Sequence, residues 1–377
     1  MVGQLDVPLV YGRKPVLTQE VFRERLLAWY GRHRRVLPWR QRKDPYAIWL
    51  SEVILQQTRV AQGLPYYERF LERYPTVRAL AAAQEEQVLR LWQGLGYYTR
   101  ARKMHACARH VVEQLGGVFP TTYEGLRALP GVGLYTAAAV ASIAYGVPVA
   151  VVDGNVYRVL ARLWGMEDDI SASSGQKVFR ARAQALVPED QAGVYNQALM
   201  EFGALQCTPA QPRCGTCLFA DVCVAFHSGK VRLLPVKKRR VSVKERYFHY
   251  LVLQGPSGIY FRKREEQDIW RGLYEFYMVE CARGLVAWEA LEDALVEQLR
   301  GEGVTASQPS RTYVHKLTHQ RLHSCFVHVD LGGAVERSGL LAAHGLHPYQ
   351  PAGWEQLPKS VLVARFCQQV LSGLHTL

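Results

Sequence analysis

The chain has 377 residues, eight cysteines and a formal net charge of +13. A chain of this length is expected to form two or three domains, each with its own core. We find no N-terminal apolar stretch typical of a signal peptide and no apolar run long enough to span a bilayer, which argues against a secreted or membrane protein. We therefore expect a soluble, intracellular protein.

The charge is unevenly distributed along the chain. Residues 247–377 hold 12 Lys and Arg against 13 Asp and Glu, whereas the first 246 residues hold 34 against 20. This contrast predicts a basic body that binds a polyanion, followed by a nearly neutral module. A basic surface without any partner would carry the same charge, so charge alone leaves both interpretations open.

A helical pattern extends from about Thr18 to Ala225, with apolar residues recurring at intervals of three and four. Within it, Glu52, Gln56 and Arg59 would share one face of a helix. Such a face is most simply a solvated polar surface. Its few charges and its apolar neighbours also fit a carboxyl group whose pKa is raised enough for acid catalysis.

Two tyrosines, Tyr97 and Tyr98, follow Gly96 and precede the cations Arg100 and Arg102. Most tyrosines pack in a core. Aromatic rings beside cations in a glycine turn also suit insertion into a stack of bases.

A glycine-rich turn, Leu129-Pro130-Gly131-Val132-Gly133, leads into a helical run that begins at Leu134. Two glycines at this spacing permit positive φ angles and leave backbone N–H groups uncovered at a helix N-terminus. The turn could be structural only. Together with the basic body and the cysteines described below, it predicts a helix-hairpin-helix DNA-binding element at about 129–146.

Asp153 stands between an apolar run and the helix that begins near Val156. Asp is a favoured N-cap residue, and the helix dipole favours its ionised form. A fixed anion in apolar surroundings also suits stabilisation of a developing cation.

Four cysteines with the spacing C-x6-C-x2-C-x5-C form a compact thiolate set: Cys207, Cys214, Cys217 and Cys223. Such a set indicates a metal centre, for which tetrahedral zinc and a 4Fe–4S cluster are the chemical options. Zinc sites usually pair two C-x2-C knuckles, and this chain has one, so the longer gaps favour the cluster.

The segment from Leu233 to Arg246 is rich in Pro, Lys and Arg and has no amphipathic period, which predicts a linker over 226–246 that lies near phosphates. Beyond it, 247–253 and 325–331 are rich in strand formers, and Trp288–Leu299 has the pattern of an amphipathic helix. We predict a separate α+β domain over 247–377.

Taken together, SEVILQQTRV, GLGYYTRAR, LPGVGLYTAA, VVDGNVYRVL and the cysteines resemble, in order and spacing, the helix-hairpin-helix DNA glycosylases of the endonuclease III superfamily. The LPWR motif at 37–40 and the continuation into a C-terminal domain resemble the adenine DNA glycosylases of MutY type. The resemblance is strong over about 20–250 and weak over the tail. It implies a mainly α glycosylase domain over 18–225 with an iron–sulfur loop at 207–223, and a Nudix-like C-terminal domain.

This resemblance implies excision of an adenine paired with 8-oxoguanine or guanine, by a monomer that binds double-stranded DNA near the bacterial nucleoid. Glu52 would protonate the flipped adenine at N7, and Asp153 would stabilise or trap the oxocarbenium ion. The remaining roles implied are positioning by Asn155, Tyr135 and Arg40, DNA binding by Gln56, contact with the base stack by Gln57 and Tyr97, phosphate binding at Gly131 and Gly133, and lesion reading by Thr318 and His319. Flipping is required because the bond is unreachable inside a duplex.

Three motifs of this chain differ from related patterns. Strand-cleaving relatives carry a nucleophilic Lys where this chain has Tyr135, which cannot form a Schiff base, so we expect the reaction to stop at an abasic site. The usual Phe-Ser-His lesion motif is Leu317-Thr318-His319, and the usual Lys of the DGNVKRV motif is Tyr157. The tail has no GX5EX7REUXEE box, which argues against nucleotide pyrophosphate hydrolysis.

Two alternatives remain. One is an oxidised-pyrimidine glycosylase, which Tyr135 and the long C-terminal domain argue against. The other is a non-catalytic iron–sulfur protein that binds DNA lesions, against which the presence of both Glu52 and Asp153 argues.

Overall fold

The computed structural model describes residues 17–238 and 242–371. Its α-helices are α1 (Gln19–His33), α2 (Pro45–Leu55), α3 (Val60–Arg73), α4 (Val77–Ala81), α5 (Glu85–Trp92), α6 (Thr99–Leu115), α7 (Tyr123–Ala128), α8 (Leu134–Tyr145), α9 (Gly154–Trp164), α10 (Ser173–Leu186), α11 (Ala192–Leu205), α12 (Val224–His227), α13 (Ala294–Gly301), α14 (Gly333–Arg337), α15 (Leu340–Ala343), α16 (Pro351–Gln356) and α17 (Val361–Phe366). Its strands are β1 (Lys244–Gly255), β2 (Gly258–Lys263), β3 (Tyr274–Glu275), β4 (Tyr277–Cys281), β5 (Tyr313–Lys316), β6 (Gln320–Asp330) and β7 (Leu346–Tyr349). Of the described helices, none is long and apolar enough to cross a membrane.

The chain divides into two compact units that are each discontinuous in sequence. Of the described residues, the first unit contains 17–53 and 114–238, and the second contains 54–113 and 242–371. The sequence instead predicts regions that are each continuous in the chain, with the bounds 18–225, 226–246 and 247–377. These bounds stay a prediction. Within the predicted linker, residues 239–241 lie outside the described part of the chain.

The first unit is built on a helical core in which α11 packs against α1, α8 and α9. The apolar side chains that recur at intervals of three and four along α9 are buried together in this core, as the periodicity predicts. Short turns at Gly146 and Gly165, both in the left-handed conformation, end α8 and α9. The helical fold class of this part is thereby confirmed.

In the second unit, residues 242–371 form a seven-stranded mixed sheet with helices, which confirms the predicted α+β class. β1 runs parallel to β6, whereas its pairings with β2 and β4 are antiparallel. Successive residues of β1 alternate between two apolar clusters: Phe248, Tyr250 and Val252 lie in one, and Leu251 and Leu253 in the other. This alternation is the period of two expected for a strand with both faces covered.

The prediction of one continuous helix over Trp288–Leu299 is wrong, because the structure has two separate helical segments there. A short 3₁₀ helix covers Trp288–Ala290, and α13 begins only after Asp293, whose side chain accepts hydrogen bonds from Leu295 N and Val296 N. Capping by Asp293 restarts the helix, while the apolar residues of the predicted face still lie in one core: Trp288, Leu291, Leu295 and Leu299.

Candidate active site

Glu52 is the one charged side chain of α2, whose remaining residues are apolar or uncharged. Asp44 caps this helix by accepting hydrogen bonds from Tyr46 N and Ala47 N, at 3.1 and 3.2 Å. Only 8% of Glu52 is exposed. The sequence therefore places one carboxyl group in largely apolar surroundings.

The environment of Glu52 favours its protonated form. Burial raises the pKa of Glu52 to about 7, and the charge of Asp153 acts in the same direction. The Tyr135 hydroxyl donates a 2.6 Å hydrogen bond to Glu52 Oε2, which lowers the pKa, as does Arg40. Near neutral pH this carboxyl can both hold a proton and release it.

Asp153 caps α9, as the sequence predicts. Its Oδ1 accepts from Asn155 N at 2.9 Å and Val156 N at 2.8 Å, and its Oδ2 accepts from the Asn155 side-chain amide at 2.7 Å. Burial raises the pKa of Asp153, while these hydrogen bonds lower it. Arg158 in turn donates to Asn155 Oδ1 at 2.8 Å, which fixes the amide in this orientation.

Arg40 forms an ion pair with Glu201, a buried carboxylate that the sequence analysis does not identify. Its guanidinium donates to both oxygens of Glu201 at 2.9 and 2.8 Å, and Arg35 donates to the same two oxygens. Burial would raise the pKa of Glu201, but hydrogen bonds from Arg35 and Arg40 hold this pKa at about 2. Glu201 stands out in sequence as the one charged residue of the apolar helix α11, and that signal could have identified it.

The hairpin between α7 and α8 matches the predicted position but uses only one of its two glycines for a special backbone conformation. Gly131 has a φ of 74°, whereas Gly133, the N-cap of α8, has a φ of −90° that any residue adopts. No acidic side chain lies in the first turn of α8, which would otherwise compete for the backbone N–H groups there.

The four cysteines line one small cavity of about 30 Å³ together with Arg162. All four are free thiols, and Arg162 donates to Cys207 Sγ at 3.5 Å. Burial raises the pKa of Cys217 to about 12. Over residues 17–238 and 242–371, no three His, Cys, Asp or Glu side chains are arranged to hold a metal ion.

In the second unit as the structure describes it, two exposed residues other than glycine have left-handed φ angles. The predicted helical face through Glu52, Gln56 and Arg59 is wrong, because α2 ends at Leu55 and Gln57 has a φ of 55°. Tyr97 has a φ of 48° and is 46% exposed.

The neighbouring tyrosine behaves differently. Tyr98 is buried and donates to the carbonyl of Lys359 at 3.2 Å, so the suggestion that both tyrosines insert between bases is wrong for Tyr98.

Thr318 and His319 form the exposed turn between β5 and β6. The Thr318 hydroxyl shares a hydrogen bond with the Tyr97 hydroxyl, although the two residues are 221 positions apart. Leu317, which replaces the family's aromatic residue, packs against the apolar cluster beneath this turn. The second unit therefore brings together Tyr97 and the predicted lesion-reading turn.

Comparison with known proteins gives matches over both parts of the chain. Residues 50–188 match the family model of the HhH-GPD superfamily base excision DNA repair proteins, and residues 249–369 match the NUDIX domain model. The chain is 31% identical to the adenine DNA glycosylase of Buchnera aphidicola (subspecies Baizongia pistaciae) over 81% of this chain and 85% of that protein.

Two further similarities are partial. The adenine DNA glycosylase of Homo sapiens is 47% identical over 60% of this chain, and the chain spans only 43% of that protein. Among solved structures, a thermostable thymine-DNA glycosylase has a TM-score of 0.51 at 29% identity and covers 56% of this chain and 97% of its own.

Proposed function

The chain belongs to the adenine DNA glycosylase family, and we propose that it removes adenine paired with 8-oxoguanine or guanine by hydrolysing the N-glycosidic bond of the flipped nucleotide. The observation that carries this proposal is the pair of carboxyl groups, the buried Glu52 and the half-buried Asp153, held by different hydrogen bonds. Glycosidic cleavage needs one carboxyl that gives a proton and one that remains an anion.

In the proposed mechanism Glu52 gives its proton to N7 of adenine, and the bond between C1′ and N9 breaks with its electron pair leaving on the base. The Asp153 carboxylate stabilises the oxocarbenium ion or bonds to C1′ until water attacks. Tyr135 and Asn155 hold the two carboxyl groups through the hydrogen bonds described above. Arg40 acts on this site through its charge, because its guanidinium is bound to Glu201.

The proposed product is an intact strand with an abasic site. Tyr135 carries no amine, so this position provides no Schiff base that would lead to strand cleavage.

The proposed partner is double-stranded DNA, bound in the bacterial cytoplasm at the nucleoid. The excess of basic residues in the first 246 residues supports phosphate binding, and the exposed Gly131 and Gly133 just before α8 are proposed to offer their backbone N–H groups to a phosphate. The exposed Gln57 and Tyr97 are proposed to enter the base stack, because both side chains lie on the surface of the second unit.

The experiment uses an end-labelled duplex with one adenine opposite 8-oxoguanine. After incubation and alkali treatment, we expect a strand break at the adenine, and no break without alkali. An A:T duplex is the control. Breaks at an oxidised pyrimidine instead, or breaks before alkali, would contradict the proposal.

We further propose that Cys207, Cys214, Cys217 and Cys223 hold a 4Fe–4S cluster. The four sulfurs line one cavity, and the guanidinium of Arg162, which donates to Cys207 Sγ, would offset the negative charge of such a cluster. Four protein ligands leave no iron open to substrate, so its proposed role is to order the loop at 207–223.

For the cluster we expect a brown protein with broad visible absorption. Cys217→Ser should lose this colour, whereas Cys281→Ser, at a half-buried cysteine outside the set, should keep it. A colourless wild-type protein with stoichiometric zinc would refute the cluster and leave the glycosylase proposal intact.

Lesion reading is proposed for Thr318 and His319, whose exposed turn offers donors and acceptors to N7–H and O8 of 8-oxoguanine. One or two hydrogen bonds contribute about 1–3 kcal/mol, which corresponds to roughly ten- to a hundredfold selectivity. The double variant Thr318→Ala, His319→Ala should therefore have a lower ratio of the single-turnover rate on the A:8-oxoguanine duplex to that on the A:G duplex. Thr312→Ala, an exposed threonine before β5, is the control. An unchanged ratio in the double variant would place lesion reading elsewhere.

A further inference from the structure

Arg100 lies at the start of α6 and connects two separate turns of the second unit. Its Nη1 donates to the carbonyl of Ile54 at 3.1 Å and to the carbonyl of Gln56. Its Nη2 donates to the carbonyls of Leu95 and Gly96, at 3.4 and 3.3 Å. One guanidinium thus reaches the turn that contains Gln57 and the turn that contains Tyr97.

Two of these acceptors have a particular position in the backbone. The carbonyls of Gln56 and Gly96 belong to the peptide groups immediately before Gln57 and Tyr97. Because φ describes rotation between that peptide group and the Cα atom, a hydrogen bond to its carbonyl restrains φ. Arg100 therefore restrains the angle at the two exposed residues that have the unusual φ values of 55° and 48°.

The shape of the side chain explains why arginine stands here. A guanidinium presents N–H donors in a rigid planar fork and can bond several oxygens at once, whereas the ammonium of lysine is a single point charge. The Thr58 hydroxyl also accepts from both terminal nitrogens, at 3.5 and 3.4 Å. The guanidinium stacks over the Trp92 ring at 5.0 Å, which holds the fork from a third direction.

We propose that Arg100 is a positioning residue for adenine excision, which locks Gln57 and Tyr97 in the conformations that enter the base stack. This inference rests on the proposed function, because it assigns Gln57 and Tyr97 to contact with the duplex. The inference adds Arg100 to the residues needed for excision, although its guanidinium donates to backbone carbonyls of the protein and is not proposed to contact DNA.

The test compares Arg100→Lys with Arg109→Lys, the same substitution at an exposed position of the same helix. Four quantities are measured: the melting temperature, affinity for a fully matched duplex, single-turnover excision from an A:8-oxoguanine duplex, and fluorescence of a 2-aminopurine beside the target adenine. The fluorescence increases when a base is unstacked, so it reports insertion into the stack independently of bond cleavage.

We expect Arg100→Lys to lose about ten- to a hundredfold in excision, as small misplacements near a reacting nucleotide do. The 2-aminopurine signal should fall in parallel, while the melting temperature and matched-duplex affinity stay at the values of Arg109→Lys. Excision and fluorescence equal to those of the control would overturn the inference. So would a proportional loss of matched-duplex affinity, because that result would make Arg100 a general phosphate contact.

A second variant covers the case in which Arg100→Lys does not fold. Thr58→Val keeps the side-chain shape and removes one acceptor of Arg100 together with the hydrogen bond that the Thr58 hydroxyl donates to the Gln56 carbonyl at 3.3 Å. It should show a severalfold loss of excision and fluorescence in the same direction. Wild-type values in Thr58→Val would then overturn the inference. If the wild-type protein itself releases no adenine, the proposed function fails; if only the variants behave like wild type, the proposed function stands and the role of Arg100 fails.

Discussion

Two buried glutamates of the first unit differ sharply in acidity. Glu52 is 8% exposed and has a pKa of about 7, whereas Glu201 is 1% exposed and has a pKa of about 2. Both side chains are buried and burial raises the pKa of each, so burial alone does not explain why the two values shift in opposite directions.

The neighbouring groups explain the difference. The Glu52 carboxyl accepts a hydrogen bond from the neutral hydroxyl of Tyr135, which lowers its pKa. The negative charge of Asp153 raises that pKa. By contrast, Glu201 receives two guanidinium groups, from Arg35 and Arg40. Opposite charges at hydrogen-bond distance overcome the desolvation of a carboxylate, and a single neutral donor does not. We conclude that Glu52 is suited to proton transfer and Glu201 to holding the structure together.

The largest expected effect is on catalysis, in Glu52→Gln. The amide keeps the shape but has no proton to give, and general acid catalysis contributes about 10²–10⁴-fold. We expect single-turnover excision to fall by that factor while duplex binding is retained. Wild-type rates in this variant would show that Glu52 is not the acid.

The same variant should not lose stability. The folded pKa of about 7 lies above the ordinary value of 4.5, so the folded wild-type protein loses stability as pH rises from about 4.5 through 7. Gln does not titrate, so above pH 7 we expect Glu52→Gln to be at least as stable as wild type in thermal unfolding.

The opposite outcome is expected for Glu201→Gln. Removing the anion leaves Arg35 and Arg40 without their carboxylate, and breaking such a buried group costs about 3 kcal/mol. The folded pKa of about 2 lies below 4.5, so this stabilisation is present above pH 4.5 and is lost as pH falls toward 2. The difference in unfolding free energy between wild type and variant should therefore shrink in acid. If Glu201→Gln unfolds like wild type at pH 7, the two glutamates do not differ in the way described here.

The sequence predicted one member of this comparison and missed the other, for physical reasons. Glu52 and Asp153 lie in local patterns, an apolar helix and a helix N-terminus, that can be recognised without a fold. Glu201 acquires its role from Arg35 and Arg40, which are 166 and 161 positions away and reach it only after folding.

Turns were the other limit of prediction. α2 ends at Leu55, and no glycine marks the left-handed turn at Gln57, so the sequence pattern predicts a helix that continues through it. Similarly, the sequence predicts DNA-contacting roles for Tyr97 and for Thr318 separately. The hydrogen bond between them depends on packing within the second unit and could not be predicted.

The smallest expected effect is a shift of the pH profile in Tyr135→Phe. The hydroxyl of Tyr135 donates to Glu52 Oε2 at 2.6 Å and stabilises the carboxylate, so its removal should raise the pKa of Glu52 further. A hydrogen bond to a charged group contributes about 1.5 kcal/mol, which corresponds to roughly one pH unit. We expect the decline of single-turnover excision at alkaline pH to move upward by about that amount.

Tyr195→Phe is the matched control, because this buried hydroxyl of the same unit has no hydrogen-bond partner among the described residues. Its removal should leave the pH profile where wild type has it. A downward shift in Tyr135→Phe, or an equal shift in both variants, would mean that the Tyr135 hydroxyl does not set the acidity of Glu52. In that case the difference in pKa between Glu52 and Glu201 would depend on burial and on the negative charge of Asp153, both of which raise the pKa of Glu52.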